Sequence, residues 1–340
     1  MRNYSEDEFA ELYPKLSNRE LAEYFGLAYQ TIKNKAHILG LSKNGTMGAE
    51  HQPKEDDMKD ATKAEEALVK ELRKRKLSEK ELGLVLKGLK GVNAKKFTPA
   101  KIDFPDKHMR FGVFADAHLG HKDYRPDVMR KMVADGKRFG IEFWLNAGDT
   151  IEGMSGREGH IYELDYIGYS AQIKFFEEEF KIFNNTVYSI EAQNSHSGWY
   201  KNKGNMGLNI GEELAKRAKH YNFIGYDEQD LEFSNGLKIR LRHPGGGTAY
   251  AISYKLQKYI ESITGGNKPH LLFHGHFHKS LQVFYRNIYG FESGCICDQT
   301  PFMKKIGTPA MVGYWLIDVN MHKVKTKGPE RVTATFVHFY

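Results

Sequence analysis

Eight residues of the kinds that bind cations or move protons recur between positions 116 and 278: Asp116, His118, Asp149, Asn194, His196, His243, His276 and His278. They fall into five groups, each just past an apolar run of strand length and composition. The first run reads Phe111-Gly-Val-Phe-Ala-Asp116-Ala-His118-Leu-Gly120. Carboxylate, imidazole and amide oxygen together suit borderline divalent metals such as Mn²⁺, Fe²⁺ or Zn²⁺. Gly120, Gly148 and Gly275 flank three of the groups and let the backbone turn sharply or a substrate come close. A single Asp-x-His or Gly-Asp is ordinary surface or turn chemistry. His276-x-His278 after an apolar strand is harder to explain as packing, and five such groups in order point to one metal site.

Elements that bring five strand ends together must alternate between strands and helices. The pattern predicts strand Met109–Ala115, helix Pro126–Phe139, strand Ile141–Ala147, a long helix near Leu164–Phe183 and strand Thr186–Ala192. A helix near Gly211–Lys219 follows, then strands around Leu231–Phe233 and Leu237–Arg242, helix Ala249–Ile263, strand His270–Phe273 and short β-like runs to Tyr340. This is an α/β layered domain with its polar groups at strand ends, where open α/β sheets hold their ligands.

These residues carry a family resemblance. Asp116-x-His118, Gly148-Asp149, Asn194 with His196, His243, and Gly275-His276-x-His278 resemble the five motifs of the calcineurin-like metallophosphoesterase superfamily, across residues 108–320. The resemblance implies a two-layer β-sandwich flanked by helices, with two divalent ions sharing one carboxylate. It implies that Asp116, His118 and His278 hold one ion, that Asn194, His243 and His276 hold the other, and that Asp149 bridges them. His196 would sit near the leaving group as general acid. Mn²⁺ is the expected metal, with Fe²⁺, Zn²⁺ and Ni²⁺ as alternatives. Asp116-Ala-His-Leu-Gly120 resembles the DNA-nuclease branch of the superfamily, which includes the nuclease subunit of the SbcCD complex. Two motifs depart from the pattern. The third reads Gln193-Asn194-Ser195-His196-Ser197, with one extra residue between Asn and His, and Gly204-Asn205-Met206 is an alternative source of the amide. In the fourth, Pro244 separates His243 from Gly245-Gly-Gly247.

Ahead of this domain, residues 1–43 read as a helix-turn-helix unit. A short helix with Leu21, Ala22 and Phe25 inward meets a turn at Gly26, and a second helix carries Ile32, Ala36 and Leu39 on one face. Tyr29, Gln30, Lys33 and Asn34 would then face DNA. An ordinary two-helix hairpin is the plainer alternative. Residues 44–107 read as a linker and a basic helical segment, and 108–340 as the metallophosphoesterase-like domain. Between Lys70 and Lys96 there are ten Lys/Arg and three acids, an excess equal to the net charge of +7 of the whole chain. A solvated spacer explains that run, as does a basic arm on a phosphate backbone.

The 340 residues, 40% hydrophobic, can bury at least one large core, which excludes a disordered chain. No run is apolar enough to span a bilayer, so no membrane role is expected. Cys295 and Cys297 are poorly placed for a bridge to each other and read as core, and a cytoplasmic setting is the default. The expected activity is dimetal-dependent phosphodiester hydrolysis, with DNA as partner and substrate; helix-turn-helix proteins are often homodimers. The alternatives are a phosphatase or phosphodiesterase for a small molecule or phosphoprotein, and a DNA-binding regulator with impaired catalysis.

Overall fold

The computed structural model describes residues 98–202 and 207–340, together with residues 9, 11–13, 16–27, 31–32 and 36. Contacts divide the chain into two units, Met1–Ala94 and Lys95–Tyr340.

In the first unit, helix α1 (Asn18–Phe25) starts at Ser17, whose hydroxyl accepts from the Glu20 N–H at 3.2 Å while the Ser17 N–H donates to Glu20 Oε2 at 2.7 Å. This reciprocal pair satisfies two otherwise orphan donors. Gly26 ends the helix at φ 63°, returning its N–H to the last-turn carbonyls. Phe9, Tyr13, Leu21, Phe25, Ile32 and Ala36 form a buried cluster, with Ala22 half-buried beside it. Tyr29, Gln30, Lys33, Asn34 and Leu39 lie outside the described residues, as does most of the basic segment.

The second unit is a sandwich of two six-stranded sheets. One has the order β12-β11-β2-β3-β4-β5, with β2 (His108–Phe114), β3 (Phe143–Asn146), β4 (Val187–Glu191) and β5 (Tyr221–Tyr226) parallel and β11 (Gly313–Met321) and β12 (Pro329–His338) antiparallel. The other has the order β1-β6-β7-β8-β10-β9, in which β7 (Lys238–Arg242), β8 (Leu271–His274) and β10 (Ile288–Ser293) run parallel. Its outer strands are β1 (Ala100–Ile102), β6 (Glu228–Phe233) and β9 (Ser280–Tyr285).

Side-chain alternation fixes the layers. Met109, Phe111 and Val113 of β2 meet Leu271, Phe273 and Phe291 of the other sheet in the central core. Phe114 turns the opposite way, into a second core under helices α2 (Pro126–Phe139), α3 (Tyr169–Glu179) and α4 (Ile210–Arg217). Helix α5 (Tyr254–Ser262) covers the outer face of the second sheet through Leu256 and Ile260. Five loops leave the carboxyl ends of β2, β3, β4, β7 and β8, and these carry the polar groups.

The sequence places α2 at the observed bounds, and the observed strands start or stop within two residues of those expected for β2, β3, β4, β7 and β8. The long helix expected at 164–183 is an eleven-residue α3 flanked by 3₁₀ turns, and α5 begins five residues later than expected, after Gly245-Gly-Gly247 and a turn. Residues 100–102, placed in the linker by the sequence pattern, pair with β6 as β1.

On the outer face of the second sheet, Glu292 and His274 are cross-strand partners, both buried. Their nearest atoms are 3.7 Å apart, too far for a hydrogen bond, and neither Glu292 oxygen has a partner among the described residues. Burial pushes this carboxyl up to about 9, so the folded chain keeps a proton that the unfolded chain releases in the ordinary carboxylate range. Stability therefore falls as pH rises between that range and about 9, with a slope approaching ~1.4 kcal/mol per pH unit. Glu292→Gln is expected to flatten that slope, as read by urea unfolding across the window; an unchanged slope would show that Glu292 ionises freely.

Candidate metal centre

Backbone bonds tie the β2 loop to the β3 loop and the β8 loop to the end of β7. Asp116 N–H donates to Gly148 C=O at 2.9 Å, His118 N–H to Asp149 C=O at 3.1 Å, and Gly275 N–H to Arg242 C=O at 3.0 Å. Asp116, His118, Asp149, His276 and His278 all have positive φ, between 51° and 78°, and make up five of the eight such non-glycine residues among those described. Backbone strain of this kind persists where the surroundings over-determine it, and it concentrates at functional sites.

Asp116, His118, Asp149, His243 and His278 are buried and converge, and His276 joins them half-buried. His118 Nε2 and His278 Nε2 are 3.0 Å apart, with Asp116 Oδ1 at 3.8 and 3.4 Å from them. His243 Nε2 is 3.0 Å from Asp149 Oδ2. Ligand atoms of Asp149, His243 and His276 lie within 4.8 Å of one another, as do those of His118, Asp149 and His196, so Asp149 belongs to both neighbourhoods.

The residues fit two cations. His243 Nδ1 donates to the Ala147 carbonyl at 2.7 Å, and His118 Nδ1 donates to Glu152 Oε2 at 2.8 Å. Both rings therefore turn an Nε2 lone pair inward. Asp149 Oδ1 is buried with no hydrogen-bond partner among the described residues, a costly arrangement unless a cation meets it, and His243 Nε2 has only its charge contact with Asp149 Oδ2 at 3.0 Å. The two facing Nε2 atoms of His118 and His278 likewise need a proton or a cation between them. Without a metal, burial lowers His243 but Asp149, Asp116 and the Ala147 carbonyl together push it up to about 9, whereas burial, reinforced by His196, pushes His118 down to about 4. Against burial, the surrounding histidines hold Asp116 and Asp149 below the usual carboxylate range.

The third motif differs from expectation. Asn194 is exposed on the wall of the cleft, and it is Ser195 that reaches Asp149, its Oγ donating to Oδ2 at 2.8 Å. Ser195 is itself the extra residue between Asn194 and His196. Gly204, Asn205 and Met206 lie outside the described residues. His196 is at the rim, its ring centre 4.1 Å from that of His118 and 4.4 Å from that of Trp199. Its Nδ1 lies 3.0 Å from Glu152 Oε2 but off-axis for a hydrogen bond, so the contact is Coulombic. Burial opposes its charge, and Glu152 with Asp149 raises it above the ordinary imidazole value.

Two participants are not apparent from the sequence pattern. Glu152, buried three residues after Asp149, also takes His160 Nε2 at 2.7 Å and so joins three histidines. Cys297 Sγ lies 3.6 Å from His278 Nδ1, behind the ring face that meets Asp116. The spacing Asp149-Thr-Ile-Glu152 was visible, but its partners His160 and His196 are brought in by folding.

Gly148 shows how tightly the centre is packed. At φ 103° it adopts a backbone that L side chains rarely take, and a Cβ there would lie 2.5 Å from His243 Nδ1. Gly148→Ala is expected to displace the His243 ring, weaken metal binding about tenfold or more, and lower the melting temperature. Metal titration with a melting curve checks this, and unchanged affinity would show that the ring has room to move.

Among the described residues no helix is long and apolar enough to cross a membrane. No protein-family model and no curated protein matches the chain. Among solved structures, it is similar to an archaeal phosphodiesterase at 14% identity, covering 67% of this chain and 100% of that one with a TM-score of 0.38. It is similar to zinc-complexed Vps29 from Entamoeba histolytica at 13% identity, covering 68% and 100% with a TM-score of 0.34. The Plasmodium inner-membrane-complex anchor GAP50 is similar at 11% identity, covering 68% of this chain and 85% of that one with a TM-score of 0.43.

Proposed function

We propose that the chain is a dimetal phosphodiesterase of the metallophosphoesterase type, and that its substrate is DNA. The observation that carries the chemistry is the buried Asp149 Oδ1, without a hydrogen-bond partner among the described residues, inside a cluster where two groups of ligand atoms, one with His243 and His276 and one with His118 and His196, share Asp149. Asp116, His118 and His278 would hold one cation; His243 and His276, with Asp149 between, would hold the other. Divalent cations bound there would polarise a phosphoryl oxygen and lower the pKa of a bound water.

The protein's own residues do the rest. Glu152 and the Ala147 carbonyl fix the tautomers of His118 and His243. Ser195 orients Asp149 through its hydroxyl. His196, at the rim with its pKa raised by Glu152 and Asp149, faces the opening and hands a proton to the departing oxygen. The DNA assignment rests on the helix-turn-helix-like pattern of residues 16–41, supported by the capped α1 and its Gly26 turn, and on the basic run before the sandwich.

The test is hydrolysis in Mn²⁺ of linear duplex DNA, circular single-stranded DNA and bis-p-nitrophenyl phosphate. Cleavage of DNA is expected, and loss of that cleavage in Asp149→Ala assigns it to this centre. Hydrolysis of the small diester without any DNA cleavage would refute the DNA assignment and leave a small-substrate phosphodiesterase.

A further inference from the structure

The cleft over the metal centre has a volume of about 500 Å³ and two unlike walls. One wall presents His118, His196, His276 and His278. The other is built by a short helix, α6 (Pro301–Lys305), and the turn after it, which present Phe302, Met303 and Ile306. Phe302 and Ile306 are 45% and 53% exposed, although both are large and apolar. The helix is held in place: Thr300 Oγ1 accepts from the Met303 N–H at 3.2 Å, Pro301 opens the first turn, and Met303 is buried beneath. Across the mouth, the Arg157 guanidinium lies 5.4 Å from the Phe302 ring centre, itself held by Glu163 at 2.9 and 2.6 Å. Lys304 and Lys305, both exposed, follow Phe302 on the same helix.

From this arrangement we infer that Phe302, Ile306 and Arg157 form a nucleobase subsite beside the scissile phosphate; the inference rests on the phosphodiesterase reading above. A phosphate on the histidine wall places its next substituent across the cleft. An alkyl substituent would leave Phe302 wet, whereas a flat heterocycle covers the ring and stacks on it. The guanidinium holds the aromatic face in position, and the two lysines offer charge to the neighbouring backbone phosphates. A base reaches this wall only after leaving its own stack, so strand ends and single strands are favoured over duplex interior.

The test compares two Mn²⁺-dependent substrates with the same leaving group, the p-nitrophenyl ester of thymidine 5′-phosphate and methyl p-nitrophenyl phosphate, in the full chain. Wild type is expected to prefer the nucleoside ester by about tenfold or more in kcat/KM, mainly through KM. Phe302→Ala is expected to bring the ratio between the two esters close to one, and Phe302→Tyr to keep it. Calorimetric titration with thymidine 5′-phosphate and with inorganic phosphate should show the same discrimination without turnover. A single-stranded oligonucleotide should inhibit ester hydrolysis at lower concentration than its duplex. Equal use of both esters by wild type, or a preference that survives Phe302→Ala, overturns the subsite and leaves the phosphodiesterase reading standing. Equal inhibition by single strand and duplex overturns the unstacking requirement. Failure to hydrolyse either ester overturns the phosphodiesterase reading, and the subsite with it.

Discussion

Asp149→Ala is expected to lower phosphodiester hydrolysis by about a thousandfold or more and to remove most of the bound metal. The size of the effect follows from position. Asp149 is fully buried, 3.0 Å from His243 Nε2, and within ligand reach of His118 on one side and His276 on the other. Deleting its carboxylate strips both neighbourhoods at once and leaves the Ser195 hydroxyl without its acceptor. Alanine also tolerates the backbone at φ 51° less well than aspartate does. Asp149→Asn separates these contributions, because asparagine accepts that backbone and keeps the shape while losing the charge. Metal content by elemental analysis and turnover of bis-p-nitrophenyl phosphate are the readouts. A variant with wild-type metal content and turnover would sink the shared-carboxylate assignment.

Glu152→Gln is expected to weaken metal binding or turnover by about ten- to a hundredfold. The carboxylate accepts from His118 Nδ1 at 2.8 Å and from His160 Nε2 at 2.7 Å, and faces His196 Nδ1 at 3.0 Å. An amide offers one accepting atom and one donating group, so it cannot serve both ring N–H groups. If it faces His118 with its NH₂, that ring must move its proton to Nε2, the nitrogen aimed at the metal. It also removes the negative charge that, against burial and with Asp149, raises the pKa of His196. Metal titration, the kcat of the saturated variant and the nitrogen-15 shifts of His118 give the answer. A lowered melting temperature with unchanged affinity, kcat and His118 tautomer would show Glu152 to be a packing residue.

Much of this centre could be read from the chain because the chemistry is local to strand ends. Asp116, His118, Asp149, His243, His276 and His278 each follow an apolar run at once, and the structure brings all six together. Helix α2 was readable for a similar reason: Pro126 opens it, Gly140 closes it at φ 76°, and Val128, Met129 and Met132 mark its inner face. Where partners are distant in sequence, the signal fades. Glu152 looks like any acid in a loop until His118, His160 and His196 surround it. The choice between Asn194 and Ser195 depends on how one extra residue is accommodated after β4, which spacing alone does not determine. Strand β5 was missed because Asn222 and Gly225 interrupt its apolar character, and β1 because three residues at the margin of a basic segment carry almost no pattern.

The five left-handed residues of the centre also bear on how this protein could be improved or could drift. Backbone preference alone would favour glycine or asparagine at 116, 118, 149, 276 and 278, and each glycine would relieve a conformation costing of order 1 kcal/mol or more. A redesign scored on backbone preference alone would therefore erase the proposed cation ligands one by one, although the hydrogen bonds they make, such as His276 N–H to Asp116 at 2.8 and 3.0 Å, oppose the exchange. Among libraries selected for folding alone, these positions should accept changes that libraries required to cleave phosphodiesters reject.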